Sequence, residues 1–138
     1  MQRILTVGVY DYFHYGHLRL FEQAKNAVEN GYLIVAVQDS EFIRKFKPEA
    51  KVFYSTDVRK ELVGALKCVD EVTSYTEVQS AVKENEFDVF AVGEDQKHAG
   101  FLEAIDYCKK NGKKVVYLHR TPNISSTSIK ENLEVSSK

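Results

Sequence analysis

Two of the four histidines fall within four residues, in His14-Tyr15-Gly16-His17, and that spacing decides which chemistry to consider first. The motif lies between an apolar, β-branched run and a segment of helical periodicity, so both histidines belong at the amino end of a helix. Free backbone N–H groups and the positive end of the helix dipole favour an anion there, and Gly16 lets a ligand approach the main chain. The motif therefore reads as a phosphate site with imidazole donors. The competing readings are a pair of N-cap or surface histidines, and a catalytic zinc. Zinc wants three protein ligands, and the sequence ties no third one to this loop, where Asp11 is the only acid.

Three further stretches carry polar chemistry. Ser125-Ser126-Thr127, ahead of Ile129 and Leu133, puts hydroxyls at a helix start, where they cap backbone amides. Arg120 just upstream adds a planar donor fork suited to phosphate. The run Arg44-Lys45-Phe46-Lys47-Pro48-Glu49-Ala50-Lys51 holds four basic residues against one acid, which makes it a solvated face or a source of mobile cations. Gly93-Glu94-Asp95-Gln96 follows a strand-like run and reads as a polar turn at the same sheet edge. His98 and His119 read as surface or strand-end residues without a role.

The elements that must position these groups alternate along the chain. Residues 3–10 predict a buried first strand. Leu18, Leu20, Phe21, Ala24, Ala27 and Val28 recur at threes and fours, an amphipathic helix with Gly31 as its left-handed terminator. Residues 32–37 predict a second strand, completing a right-handed parallel unit. A helix over 56–66, a strand over 71–75, a helix through Val78, Ala81 and Val82, and a strand over 88–92 follow. Phe101, Leu102, Ile105, Tyr107 and Cys108 mark a helix closed by Asn111-Gly112; a strand over 114–118 and a short helix over 126–133 end the chain. This is an α/β pattern: one domain, 1–138, with a single open, mostly parallel five-stranded sheet and helices on both faces. Such sheets bind ligands outside the carboxyl ends of their strands, so the loops after strands are where function is expected.

Composition sets the outer limits. The 138 residues are 43% hydrophobic and 28% charged, and 19 Lys plus Arg face 20 Asp plus Glu. No excess charge draws the whole molecule to nucleic acid or to an anionic membrane, so an anion site must be local. No apolar run approaches the ~18 residues that span a bilayer, and Arg3 followed directly by a strand-like run does not read as a signal peptide. A cytoplasmic protein is expected. Cys68 and Cys108 form no Cys-x-x-Cys pair and predict two reduced, partly buried thiols.

Taken together, Gly8-Val9-Tyr10-Asp11-Tyr12-Phe13-His14-Tyr15-Gly16-His17 resembles the Gly-Thr-Phe-Asp-x-x-His-x-Gly-His signature of the cytidylyltransferase-like nucleotidyltransferases. Arg120-Thr121-Pro122-Asn123-Ile124-Ser125-Ser126-Thr127 resembles that superfamily's Arg-Thr-x-x-Ile-Ser-[Ser/Thr]-Thr signature, in the right order along the chain. The similarity extends across nearly the whole chain, including Arg59 and Val69-Asp70-Glu71-Val72, and is greatest to the glycerol-3-phosphate cytidylyltransferase family.

The resemblance implies a Rossmann-like nucleotidyltransferase fold and transfer of CMP from CTP to a small polyol phosphate, above all sn-glycerol 3-phosphate. It implies catalytic roles for His14, His17, Lys45, Lys47 and Arg120. Val9, Tyr10, Glu94, Thr121, Ile124, Ser125, Ser126 and Thr127 would bind the nucleotide together with His14, His17 and Arg120. Asp11, Lys45, Lys47 and Asp70 would face the acceptor. Magnesium would arrive on the nucleotide phosphates with no metal site on the protein; the chain would form a homodimer and engage neither nucleic acid nor membrane. The chain departs from the pattern at Val9, where threonine is usual, at Asn123, where glycine is frequent, and in Glu94-Asp95-Gln96, where a tryptophan is common and this chain has none. Base selection rests on that last segment. The alternatives are a cytidylyl- or adenylyltransferase for ribitol phosphate, phosphoethanolamine or a sugar phosphate, and a nucleotide-binding module without turnover.

Overall fold

The structure, a computed structural model, describes residues 1–49, 51–94 and 96–119. Five strands, β1 (Gln2–Gly8), β2 (Gly31–Gln38), β3 (Glu71–Tyr75), β4 (Val89–Gly93) and β5 (Lys114–Leu118), form one sheet in the order β3-β2-β1-β4-β5. Every pairing is parallel, so the sheet is wholly parallel where mostly parallel was expected. The helices are α1 (Tyr15–Lys25), α2 (Ser40–Phe46), α3 (Thr56–Gly64), α4 (Val78–Glu84) and α5 (Ala99–Lys110).

The apolar runs of the strands bury both faces by alternation. Leu5, Ile34, Ala36, Phe90 and Val92 point to a layer made with α4 and α5, through Ala81, Val82, Phe101 and Ala104. Ile4, Leu33, Val35, Val37, Val89 and Ala91 point the other way, onto Phe21 and Ala24 of α1 and Val63 of α3. A strand covered on both sides needs hydrophobic residues at consecutive positions, which is how β1, β2 and β4 read.

Several boundaries differ from the sequence reading. The first strand stops at Gly8, not Tyr10, because Tyr10 turns to φ +56° and carries the chain out of the sheet. The left-handed residue before β2 is Asn30 at φ +54°, not Gly31, which already belongs to the strand. Gly31 is needed there for space: a Cβ would lie 2.8 Å from the Lys25 carbonyl oxygen and 2.8 Å from Cδ1 of Ile4. α1 ends earlier, at Lys25.

α2 is an element that the charged run 44–51 concealed. Asp39 caps it, its Oδ2 accepting from the Phe42 N–H at 3.0 Å, and the helix stops at Phe46, just ahead of Lys47-Pro48. Cys68 and Cys108 are both free thiols; Cys108 is fully buried and burial pushes its thiol up to about 11. The helix expected over 126–133 lies outside the described residues. No helix among those described is long and apolar enough to cross a membrane.

Candidate active site

The carboxyl ends of the strands are level: Gly8 pairs with Val37, Gln38 with Tyr75, and Gly93 with Leu118. Strand order reverses between β1 and β4, which opens a crevice at that edge. The histidine loop leaves β1 on one side of it and Glu94 leaves β4 on the other. Sequence alone brought these two segments to one sheet edge, and the topology makes them neighbours.

His14 is the N-cap of α1, and the two histidines form a reciprocal capping box. Nδ1 of His14 accepts from the Gly16 N–H at 3.0 Å, and Nδ1 of His17 accepts from the His14 N–H at 3.2 Å. A ring nitrogen that accepts carries no proton, so both neutral rings bear their proton on Nε2. The rings stack with centroids 4.0 Å apart and 26° between planes. Two N–H donors of fixed tautomer are thus held side by side at a helix amino terminus, with both rings half-buried.

Tyr10 supports this pair from below. Its ring meets His17 edge-on at 5.5 Å and Phe21 at 5.0 Å, and it is buried in the core between them. Burial pushes its hydroxyl well above the ordinary tyrosine range. The ring also lies directly over Gly8, where a Cβ would come within 2.6 Å of Cζ. The side chain of Tyr10 therefore faces the protein interior. Val9 is half-buried, its carbonyl oxygen taken by Arg59.

Arg59 is fully buried, and sequence reasoning gave it no role beyond the resemblance. Its guanidinium donates to the carbonyl oxygens of Val9 at 2.8 Å and Tyr54 at 3.1 Å, and to Oγ of Ser40 at 2.5 Å. Burial lowers its pKa, opposed by the charges of Asp11 and Asp39. One side chain on α3 thereby joins the loop after β1, the start of α2 and the segment before α3. Asp11, also buried, accepts from the N–H groups of Phe53 at 2.7 Å and Tyr54 at 3.0 Å. It fastens the same segment.

Lys45 and Lys47 are exposed at the carboxyl end of α2, which follows β2 at the same sheet edge as the histidines. Asp70 is elsewhere. It precedes β3 at the amino edge of the sheet, where it accepts from the Leu33 N–H at 2.8 Å and pairs with Lys25. Arg120, Thr121, Ile124, Ser125, Ser126 and Thr127 lie outside the described residues. A cleft of about 530 Å³ between α2 and α3, lined by Asp39, Arg44, Phe53, Tyr54 and Lys60, contains neither histidine.

Beside the crevice, Glu94 is tied to β5: its N–H donates to the Leu118 carbonyl at 2.9 Å, and its Oε2 lies 2.9 Å from Nδ1 of His119. His119 is in turn clamped by Gln23 of α1, whose amide donates to its carbonyl at 2.8 Å and accepts its N–H at 3.0 Å. These contacts of His119, which the sequence reading left without a role, are invisible in the sequence, since its partners are 25 and 96 positions away.

No group of three His, Cys, Asp or Glu that could hold a metal exists among the described residues. Both carboxylate oxygens of Asp11 are engaged by backbone N–H groups.

Comparison with known proteins identifies the family and the fold. Residues 5–132 match the family model described as Cytidylyltransferase-like. The glycerol-3-phosphate cytidylyltransferase of Bacillus subtilis is 34% identical over 96% of this chain and 98% of its own length. That of Staphylococcus aureus is 35% identical over 96% of both chains. A lipopolysaccharide core biosynthesis protein from Thermoplasma volcanium shares the fold, with a TM-score of 0.69 and 24% identity over 88% of this chain and 97% of that one. With the histidine pair at the switch point of the sheet and near full-length similarity to named cytidylyltransferases, the chain belongs to the cytidylyltransferase-like family of nucleotidyltransferases.

Proposed function

We propose that this enzyme transfers CMP from CTP to sn-glycerol 3-phosphate, giving CDP-glycerol and pyrophosphate. The observation that carries the reading is the histidine pair, because its capping box fixes both rings as Nε2–H donors where a helix terminus already favours phosphate. Relatives that bear the name glycerol-3-phosphate cytidylyltransferase, matched nearly end to end, support the choice of nucleotide and acceptor.

In this reaction a phosphate oxygen of the acceptor forms a bond to the α-phosphorus of CTP, in line with the bond to the bridging oxygen, which breaks as pyrophosphate leaves. The second pKa of a phosphomonoester is about 6, so the nucleophile is already a dianion near neutral pH and needs no general base. What the protein must supply is positioning and stabilisation of charge. His14 and His17 donate to the α-phosphate oxygens and the bridging oxygen. Lys45, Lys47 and Arg120 neutralise the remaining charge, and Thr121, Ile124, Ser125, Ser126 and Thr127 cradle the phosphates. The substrate is the magnesium complex of CTP, its metal held by phosphate oxygens and water. Val9 and Tyr10 line the nucleotide with their main chain, and Glu94 faces the base. Asp11 serves the acceptor indirectly, by holding residues 53 and 54. Asp70 takes no part within one subunit. A CTP-dependent enzyme works in the cytoplasm, where its nucleotide is made. As a homodimer it would cover exposed rings such as Phe46 and Phe53, which light scattering tests.

Pyrophosphate release, with CTP and ATP crossed against glycerol 3-phosphate, ribitol 5-phosphate, phosphoethanolamine and phosphocholine, tests the reading. Release with CTP and glycerol 3-phosphate above all other pairs is expected. Preference for another acceptor or for ATP moves the substrate assignment, and release from no pair despite bound nucleotide refutes the enzyme.

A further inference from the structure

We propose that His119 is a specificity-determining positioning residue, holding Glu94 so that its free carboxylate oxygen receives the exocyclic amine of the nucleobase. The inference rests on the nucleotide reading of Glu94 above and adds a residue to it. An ionised carboxylate only accepts, so the 2.9 Å contact requires the proton on Nδ1 of His119. That bond occupies Oε2 of Glu94 and leaves Oε1 as an acceptor at the mouth of the crevice. Cytosine and adenine present an amine donor on the edge where uracil presents a carbonyl oxygen, so an oriented acceptor separates CTP from UTP.

The carboxylate would not hold this position unaided, since Glu94 is exposed and its side chain is free to rotate. His119 is fixed better than a residue of such exposure usually is. The paired amide bonds from Gln23 grip its main chain on both sides, and Glu94 is itself anchored through its N–H to Leu118. The ring, its backbone and the carboxylate therefore form one chain of contacts from α1 to the loop after β4. Because α1 also carries His17 in its first turn and is capped by His14, the base-reading carboxylate and the phosphate donors are referred to the same helix.

The test is equilibrium binding of the magnesium complexes of CTP and UTP, by calorimetry on the intact chain, which needs no acceptor and no turnover. His119→Ala is expected to weaken CTP roughly 5- to 10-fold, the value of one charge-assisted bond at a partly exposed site, and to leave UTP within about twofold. His119→Asn, whose amide nitrogen takes the place of Nδ1, should restore most of the loss. In a Glu94→Ala background, His119→Ala should add nothing. Unchanged CTP affinity in His119→Ala, an equal loss for UTP, no rescue by asparagine, or additive losses in the double variant would each overturn the inference. Selective loss of CTP in a protein that releases pyrophosphate with no acceptor would instead sink the proposed reaction and leave His119 in its role.

Discussion

Replacement of Arg59 by methionine keeps most of the side-chain volume and removes the charge, so it isolates what the guanidinium does. The loss leaves two backbone carbonyls, those of Val9 and Tyr54, without the donor they have in the native protein. It also removes the cation that faces Asp11 and Asp39. An orphaned buried acceptor costs about 1–3 kcal/mol, and breaking a buried charge arrangement by removing one member costs about 3–5 kcal/mol. These overlap, so the expected destabilisation is about 4 kcal/mol, a large share of the ~5–15 kcal/mol that holds a domain together. Urea unfolding followed by circular dichroism measures it as a fall in midpoint at constant slope. Arg59→Lys should recover only part, about half, because a single ammonium cannot span acceptors on three segments. If Arg59→Met unfolds within about 1 kcal/mol of the parent, the guanidinium is dispensable and the reasoning about the network fails.

Two further predictions concern single atoms and single charges. Gly8→Ala should cost about 1–3 kcal/mol and displace Tyr10 from beneath His17, since the new methyl would meet the ring at 2.6 Å; unchanged unfolding with unchanged turnover would contradict the close approach. Asp70 is drawn up by burial, but its bonds to Lys25 and the Leu33 N–H and the charge of Lys25 together hold its pKa below the ordinary value. A lowered folded-state pKa stabilises the protein fully above the unfolded value of about 3.9 and ceases to do so as pH falls through the folded one. Asp70→Asn should therefore destabilise by about 1 kcal/mol at pH 7 and progressively less below pH 4. A difference that stays constant with pH would show that the charge is not the cause. Because Asp70 lies at the amino edge of the sheet, kcat should be unaltered in the same variant.

Much of the fold was legible because a parallel sheet covered on both faces requires long apolar runs, and β1, β2 and β4 have them. The histidine loop was legible for a related reason: its glycine and its two imidazoles sit at a strand-to-helix junction that periodicity alone locates. α2 escaped notice because it is only seven residues long and its apolar positions, Phe42, Ile43 and Phe46, run into the basic stretch that begins at Arg44, although Asp39 ahead of them is an ordinary cap. The exit of the chain at Gly8 escaped for a conformational reason, the positive φ at Tyr10, which no β-branched pattern records. Arg59 and His119 stayed silent because their partners come from remote segments. A buried arginine in a helix looks like a solvated one until the sheet is assembled around it, and the Glu94–His119 pair exists only because β4 and β5 are neighbours. Asp70 was read by resemblance into the acceptor site; strand direction puts it at the far edge.

The central claim is that the capping box turns His14 and His17 into preorganised Nε2–H donors to the transition state. His17→Asn tests it most directly. Its amide oxygen can take the place of Nδ1 and keep accepting the His14 N–H, so the helix start survives while the Nε2 donor is gone. Steady-state kinetics of pyrophosphate release should show kcat lower by ~10² to 10³, the usual cost of one transition-state donor, with thermal stability close to that of the parent. A kcat within threefold of the parent would mean that the ring serves only to cap α1, and the account of catalysis would be wrong.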